Sequence, residues 1–97
     1  MNNPLTELRR LLDEAGIPYE NHSEDFAIGK MDRVWYKQGG NVICSAIWGR
    51  GSYGYNDELI EIMGLLTEEE QEKDDVVGYL TPEEVFWRIK EDWERFK

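Results

Sequence analysis

The sequence has little of what supports covalent or metal chemistry. It contains one cysteine and one histidine in 97 residues. A single Cys excludes a disulfide within the chain and a Cys-rich zinc site. No apolar run approaches the roughly 20 residues that span a bilayer, and Met1–Pro4 does not begin a basic-then-apolar signal peptide. We therefore expect a soluble, cytoplasmic protein that holds no metal and no cofactor.

Basic side chains are also scarce. The chain has 11 Lys and Arg against 21 Asp and Glu, a net charge of −10. Residues 1–50 are nearly balanced, with 6 basic and 7 acidic side chains, whereas residues 51–97 have 5 against 14. Such a charge repels phosphate backbones and anionic lipid surfaces, which argues against direct binding of nucleic acids or membranes.

Most of the acidic excess falls in region 57–75, where Lys73 is the one basic residue. A concentrated negative surface attracts basic protein surfaces and accelerates their association. The alternative is a solvated surface that only keeps the chain soluble. The candidate partner-binding acids are Asp57, Glu58, Glu61, Glu68, Glu69, Glu70, Glu72, Asp74 and Asp75.

Strong cap signals predict a helix at each end of the chain. Asn3-Pro4 and Gly16 bound an apolar helical repeat over 4–15. Thr81-Pro82 with Glu84 begins a helix that extends to about Arg95. The spacing predicts that this second helix buries one apolar face, made of Phe86, Ile89, Trp93 and Phe96.

The middle of the chain predicts an antiparallel sheet. Segments 33–37 and 42–48 flank a Gly39-Gly40 turn and form a hairpin. Segment 42–48 is apolar at almost every position, so we expect a central strand covered on both faces. Segment 26–28 has weak strand character, and 76–80 is a short strand.

Between these strands we expect a second helix. Asn56 is a suitable N-cap, and Leu59, Ile62, Met63 and Leu66 follow at helical spacing. A Thr67…Glu70 capping box predicts one further helical turn. The predicted order is α-β-β-β-α-β-α, a small α+β domain over 1–97 with a sheet of three to four strands and helices packed on it.

Segment 49–54 reads Gly-Arg-Gly-Ser-Tyr-Gly, which matches the G-x-G-x-x-G pattern between a strand and a predicted helix. Glycines permit close approach to a phosphate, and Arg50 supplies a cation. The acids at the start of the following helix would oppose that ligand. The alternative is a plain connection that needs positive φ angles. The candidate ligand-binding residues are Arg50, Gly51, Ser52, Tyr53, Gly54 and Tyr55.

Three further residues have both a chemical and a structural interpretation. Cys44 and His22 are the two halves of a possible thiolate–imidazole pair. Cys44 lies in the most apolar strand, however, where a Cys is usually inert, and His22 precedes a turn, where we expect solvent exposure. Trp87 is either an exposed interface anchor or partly buried against the sheet edge, and the second is favoured.

Five segments of the chain together resemble small acidic proteins from phages and prophages of gut Firmicutes. These segments are 8–20, 43–45, 51–54, 59–67 and 76–81. The resemblance covers nearly the whole chain. No activity is assigned to that group, so it supplies no site residue. It implies a small accessory protein in the bacterial cytoplasm, a class that includes counter-defence inhibitors and sponges for nucleotide signals.

The sequence as a whole predicts a binding protein and not an enzyme. The leading hypothesis is an inhibitor that occupies the basic surface of a host protein through region 57–75, with Trp87 as a contact. The alternative is a sponge for cyclic nucleotides or ADP-ribose-type signals that uses loop 49–55. A structural phage component is a third possibility. A concave pocket lined by Arg50 would favour the sponge.

Overall fold

The computed structural model describes residues 1–27 and 29–96, apart from the side chain of Phe26. It contains an antiparallel sheet of six strands and three α-helices. The α+β class is confirmed, and the sheet is larger than the three to four strands expected. The elements are α1 (Pro4–Ala15), β1 (Glu20–Asn21), β2 (Glu24–Phe26), β3 (Gly29–Gln38), β4 (Asn41–Gly49), β5 (Ile60–Met63), α2 (Glu68–Lys73), β6 (Val76–Leu80) and α3 (Pro82–Arg95).

The strands lie in the order β1-β3-β4-β5-β6, and β2 also pairs with β3. Segment 26–28, expected to be weakly strand-like, overlaps the end of β2 at Phe26, and Ile28 lies outside the described residues. The hairpin of β3 and β4 turns at Gly39 and Gly40, whose φ angles of 56° and 85° suit a two-residue turn with two left-handed positions.

Both terminal helices begin and end as their cap residues predict. The Asn3 side chain accepts a hydrogen bond from the Leu5 N–H at 2.9 Å, and Gly16 ends α1 with φ of 71°. Thr81 and Glu84 form a reciprocal capping box at the start of α3. Phe96, expected on the buried face of that helix, is instead 67% exposed, because it follows the last helical residue.

One face of the sheet carries the hydrophobic core. Val34 and Tyr36 of β3, Cys44 and Ala46 of β4 and Ile60 and Ile62 of β5 are buried under α1 and α3. The alternate residues of the same strands point to the other side and are only partly buried or exposed. The expectation that β4 is covered on both faces is therefore wrong, since α1 and α3 both pack on one side. We call the other side the open face.

The prediction of a second helix after Asn56 is wrong. A 3₁₀ turn spans Tyr55–Asp57, and the following residues form β5. Ile60 and Ile62 are fully buried and Glu61 lies on the open face, so the period-2 pattern of these residues prevails over their helical spacing. Pairing with β4 decides the outcome, and cap residues such as Asn56 carry no information about that pairing. The further helical turn after Thr67 is confirmed as α2.

Candidate functional site

The acidic region 57–75 is divided by the fold. Asp57 and Glu58 precede β5, whereas Glu68 to Asp75 follow it on α2 and on the turn into β6. A strand of four residues is roughly 13 Å long, so the two groups lie at opposite ends of β5. The region is one stretch of sequence but two surfaces in space, and the larger surface is centred on α2.

Two of the predicted partner-binding acids are already engaged within the chain. Both carboxylate oxygens of Glu70 accept hydrogen bonds from the Arg88 guanidinium, at 2.7 and 2.8 Å. These bonds, together with those in the Thr67 cap, lower the pKa of Glu70 to about 2. Glu61 accepts a hydrogen bond from the Tyr53 N–H at 2.8 Å. Glu70 in particular stabilises the fold and is not a free anion for a partner.

The remaining acids of α2 and its following turn are exposed. Glu68 and Glu72 are four residues apart and share one side of the helix. The Asp74 carboxylate accepts a hydrogen bond from the Asp75 N–H at 2.6 Å, which closes the turn. We name this group the α2 acidic surface, and Lys73 is the one basic residue within it. Its members are Glu68, Glu69, Glu72, Asp74 and Asp75.

The Gly-rich loop does not have the context that a phosphate-binding fingerprint requires. It connects β4 to a 3₁₀ turn and then to β5, so it does not lead into the N-terminus of an α-helix. Gly51 and Gly54 have φ angles of 98° and 97°. Gly49 serves a different purpose: a Cβ there would lie 2.7 Å from the Lys30 carbonyl oxygen. The glycines thus shape a connection between two strands, as the plainer alternative predicts.

The loop nevertheless borders a shallow concavity of about 370 Å³. Arg50 lines it, and so does Asp57, whose carboxylate opposes any anionic ligand. Of the six candidate ligand-binding residues, five line the concavity. The sixth, Tyr53, is 53% exposed and packs over Gly78, where a Cβ would lie 2.2 Å from the Tyr53 Cβ. The complete lining is Arg50, Gly51, Ser52, Gly54, Tyr55, Asn56, Asp57 and Tyr79.

Tyr79 is the residue of this concavity that the sequence does not reveal. It belongs to β6 and has φ of 60°, a left-handed conformation that is uncommon for a side chain of this size. Its N–H donates to the Tyr53 carbonyl oxygen at 3.4 Å, and its ring is 59% exposed. A strand pattern carries no signal for a left-handed residue at its end, so only the structure brings Tyr79 to the loop.

Cys44 and His22 do not meet. Cys44 is buried beneath the helices, and loss of hydration raises the pKa of its thiol to about 12. The His22 ring stacks on Trp35 at 3.7 Å between ring centroids, and Trp35 belongs to the open face. The sheet therefore separates the thiol from the imidazole. Contrary to the expectation, His22 is not simply exposed: its side chain is 36% exposed, and its ring stacks on Trp35 and contacts Glu20.

Trp87 is exposed and not packed against the sheet edge, contrary to the favoured expectation. Its side chain is 55% exposed. The Lys90 ammonium lies over the Trp87 ring, 4.7 Å from the ring centroid. The neighbouring residue Arg88 faces α2, and successive residues of a helix point about 100° apart. Trp87 therefore points away from the Arg88–Glu70 contact.

Comparisons with known proteins add no family. No family model matches the chain, and neither the curated proteins nor the solved structures gave a match. Across residues 1–27 and 29–96, no three His, Cys, Asp or Glu side chains come together as a metal site would require. None of the helices in the same part of the chain is both long and apolar enough to cross a membrane.

Proposed function

We propose that the protein is a non-enzymatic accessory protein of a phage or prophage that acts in the bacterial cytoplasm. In this proposal it inhibits a host defence protein by occupying a basic surface of that protein. The observation that supports the proposal is the α2 acidic surface. Glu68, Glu69 and Glu72 are exposed there and form no ion pair with any other described residue, and only Lys73 offsets their charge.

The arrangement of α2 suits a docking element. The bidentate Arg88–Glu70 contact fixes the helix to α3, so the exposed carboxylates are presented on an ordered segment. Because the α2 backbone is already ordered, a partner's Lys or Arg side chains can dock on it with little further loss of backbone freedom. Exposed charges of this kind mainly increase the association rate and determine which partners are accepted.

The experiment begins with capture of a partner from a bacterial lysate and measurement of its binding kinetics. The test variant is Glu68→Gln/Glu69→Gln/Glu72→Gln, which leaves the Glu70 contact intact. The matched control is Asp25→Asn/Glu83→Gln/Glu91→Gln, which removes the same charge from exposed sites elsewhere. We expect the test variant to slow association much more than it accelerates dissociation, and the control to have a small effect.

Salt provides the second readout. Between about 0.05 and 0.5 M salt the screening length falls from over 10 Å to a few Å, so binding through this surface weakens. An affinity that does not change with salt contradicts the proposal. If the test variant and the control slow association equally, the slowing reflects net charge in general and not the α2 acidic surface.

A second candidate function rests on the concavity beside Arg50. A sponge for cyclic nucleotides or ADP-ribose-type signals would use the Arg50 guanidinium for a phosphate and the Tyr79 ring for stacking. A ligand at a hundred times its dissociation constant adds about 2.7 kcal/mol to the free energy of unfolding, which a thermal-shift screen detects readily. If a nucleotide shifts the melting temperature, Tyr79→Ala should abolish its binding and Tyr53→Ala should not, because Tyr79 lines the concavity and Tyr53 does not. A screen without any shift contradicts this candidate.

A further inference from the structure

A cleft of about 330 Å³ lies between α3 and the segment that leads into α2. Leu65, Leu66 and Thr67 line one side of it. The other side consists of α3 positions 88, 91, 92 and 95, which share one face of that helix. Because Thr67 is the N-cap of α2, the α2 acidic surface begins at the rim. We name this feature the α2–α3 cleft.

Asp92 is the buried carboxylate of the cleft, with 9% of the residue exposed. Its Oδ2 accepts a hydrogen bond from the Tyr36 hydroxyl at 2.7 Å, and the Gln38 amide donates to the same hydroxyl at 2.8 Å. Burial and the bond to Asp92 raise the pKa of Tyr36 to about 12, so the phenol keeps its proton and remains a donor. The carboxylate is therefore held in one orientation.

The other oxygen of Asp92, Oδ1, accepts no hydrogen bond from any residue that the structure describes. It is not sealed in the interior, since the one fully buried side-chain polar atom without a partner in the described chain is Trp48 Nε1. Asp92 Oδ1 is thus open to the cleft. Arg88, one turn earlier on α3, directs its guanidinium to Glu70 and to the Leu65 carbonyl oxygen instead.

Asp32 shows how this fold satisfies a buried carboxylate from within the chain. It is 8% exposed and accepts hydrogen bonds from Arg9, Ser23 and Asn3, of which Arg9 carries the opposite charge. Asp92 is buried to a similar extent, yet its one hydrogen-bond partner in the described chain is a neutral phenol. Buried charges in proteins are normally paired. Asp92 therefore lacks the cation that Asp32 has.

We infer that the α2–α3 cleft takes one lysine side chain of a partner protein and pairs its ammonium with Asp92 Oδ1. The inference deepens the proposed function and rests on it for the partner, a protein with a basic surface. Lysine fits better than arginine, because the guanidinium fork suits a carboxylate with both oxygens free and Tyr36 already occupies Oδ2. The lysine methylenes would lie against Leu65 and Leu66.

The charges around the cleft favour a cation over an anion. Arg88 is neutralised by its bidentate contact with Glu70. At the rim, Glu91 and Arg95 are exposed and four residues apart on α3, so their charges offset each other. Asp92 remains as the uncompensated charge, and the neighbouring α2 acidic surface adds to the negative potential that a lysine meets.

Titration of the isotope-labelled full chain with N-acetyl-lysine methylamide tests the inference, with the NMR amide shifts of 65–67 and 88–95 as the readout. We expect saturable binding with a dissociation constant of about 1–10 mM, the range open to so small a ligand. The norleucine analogue lacks only the ammonium and should bind about tenfold more weakly or worse. The arginine analogue should bind about threefold more weakly, and the glutamate analogue should not bind.

Asp92→Asn retains an oxygen for Tyr36 and removes the charge, so it should weaken lysine binding about tenfold or more. Glu83→Gln is the matched control. Glu83 is exposed on the same helix, about 13 Å from Asp92 along the axis, which exceeds the screening length at physiological salt. Glu91→Lys changes an exposed residue of the rim, so it tests the cleft without threatening the fold. It should weaken lysine binding about threefold, whereas Glu83→Lys should not.

Three results would overturn the inference. They are equal binding of the lysine and norleucine analogues, tighter binding of the arginine or glutamate analogue, and lysine binding that neither Asp92→Asn nor Glu91→Lys weakens.

The inference and the proposed function fail separately. Glu68→Gln/Glu69→Gln/Glu72→Gln, which tests the proposed function, should keep lysine binding within about threefold, because Asp92 is unchanged. If that variant abolishes lysine binding, the lysine binds the α2 acidic surface and the cleft inference is wrong. If the lysine analogue does not bind while the same variant slows association with a partner, the cleft inference alone fails. If the lysine analogue binds as expected and the variant leaves association unchanged, the proposed function alone fails.

Discussion

The Arg88 guanidinium of α3 binds both carboxylate oxygens of Glu70 on α2, and its Nη1 also donates to the Leu65 carbonyl oxygen at 3.0 Å. Leu65 has φ of 57°, so one arginine holds a left-handed residue, a cap and a short helix in place. A helix of six residues is too short to be stable by itself. The position of the α2 acidic surface therefore depends on this ion pair.

Glu70→Gln should lower the free energy of unfolding by about 1 kcal/mol at pH 7. This is below the usual range for hydrogen bonds to charged groups, because the two side chains are 23% and 24% exposed and solvent screens them. Glu69→Gln, on the exposed side of the same helix, should change stability very little. Urea unfolding of both variants and the original chain provides the measurement.

The same pair has a defined pH dependence. The pKa of Glu70 is about 2 in the folded chain, below its ordinary value of 4.5. A depressed folded pKa contributes stability above the unfolded value and loses it as protons bind. The difference between the original chain and Glu70→Gln should thus be complete at pH 7 and shrink as the pH falls from 4.5 toward 2. A constant difference over this range would contradict the assigned role.

Asp32 is the second carboxylate that the fold depends on. It is 8% exposed and accepts hydrogen bonds from Arg9, Ser23 and Asn3. Burial by itself raises the pKa of Asp32, but these hydrogen bonds outweigh it and lower the pKa to about 2. The network connects the start of α1 to β3 and to the residue before β2.

Asp32→Ala should cost about 3 kcal/mol, near the lower limit for a broken buried ion pair, because Arg9 remains 22% exposed and can be hydrated. Asp25→Ala, at an exposed site in β2, is the control and should have little effect. Thermal unfolding at pH 7 distinguishes the two variants. Equal melting temperatures would show that the network contributes nothing.

The parts of the fold that were predictable from sequence are those with strong local signals. Asn3, Thr81 and the Gly39-Gly40 turn each satisfy their own hydrogen bonds within a few residues, so their effect does not depend on the rest of the chain. The same is true of the Thr67 capping box of α2. These elements appear where the sequence predicts them.

The features that the sequence predicts wrongly or misses depend on residues far apart in the chain. Segment 59–63 has apolar residues at both helical and strand spacing, and pairing with β4 makes it a strand. The concavity beside Arg50 includes Tyr79, which is 24 residues from Tyr55 and whose left-handed backbone has no sequence signal. Likewise, no local pattern pairs Glu70 with Arg88, so the sequence could not separate structural acids from free ones.

Cys44 should be chemically silent. Its thiol is buried and has a raised pKa, so the reactive thiolate is almost absent at neutral pH. Alkylation of the native chain should be slow and should become fast in urea. Ser45→Cys in a Cys44→Ala background moves the thiol to the partly exposed neighbouring position and should label rapidly. Cys44→Ala itself should cost about 1 kcal/mol of stability through the cavity it leaves. Rapid labelling of native Cys44 would reopen the possibility of catalysis.

The last prediction separates backbone strain from crowding in the Gly-rich loop. Gly51 and Gly54 have almost the same φ, 98° and 97°, so a side chain at either is strained by a similar amount. A Cβ at Gly51 meets nothing within 4 Å, whereas one at Gly54 lies 3.0 Å from the Leu59 Cβ and 3.1 Å from the Tyr79 nitrogen.

Gly51→Ala should therefore cost about 1 kcal/mol from strain alone, and Gly54→Ala should cost about 1 kcal/mol more because Leu59 or Tyr79 must move. Urea unfolding of both single variants measures the difference, and any nucleotide found in the screen provides a second readout. Movement of Tyr79 alters the concavity, so Gly54→Ala should weaken such a ligand while Gly51→Ala retains it. Equal costs for the two variants would mean that the loop adapts freely at Gly54, and that Tyr79 is not held in place by its contact with the loop.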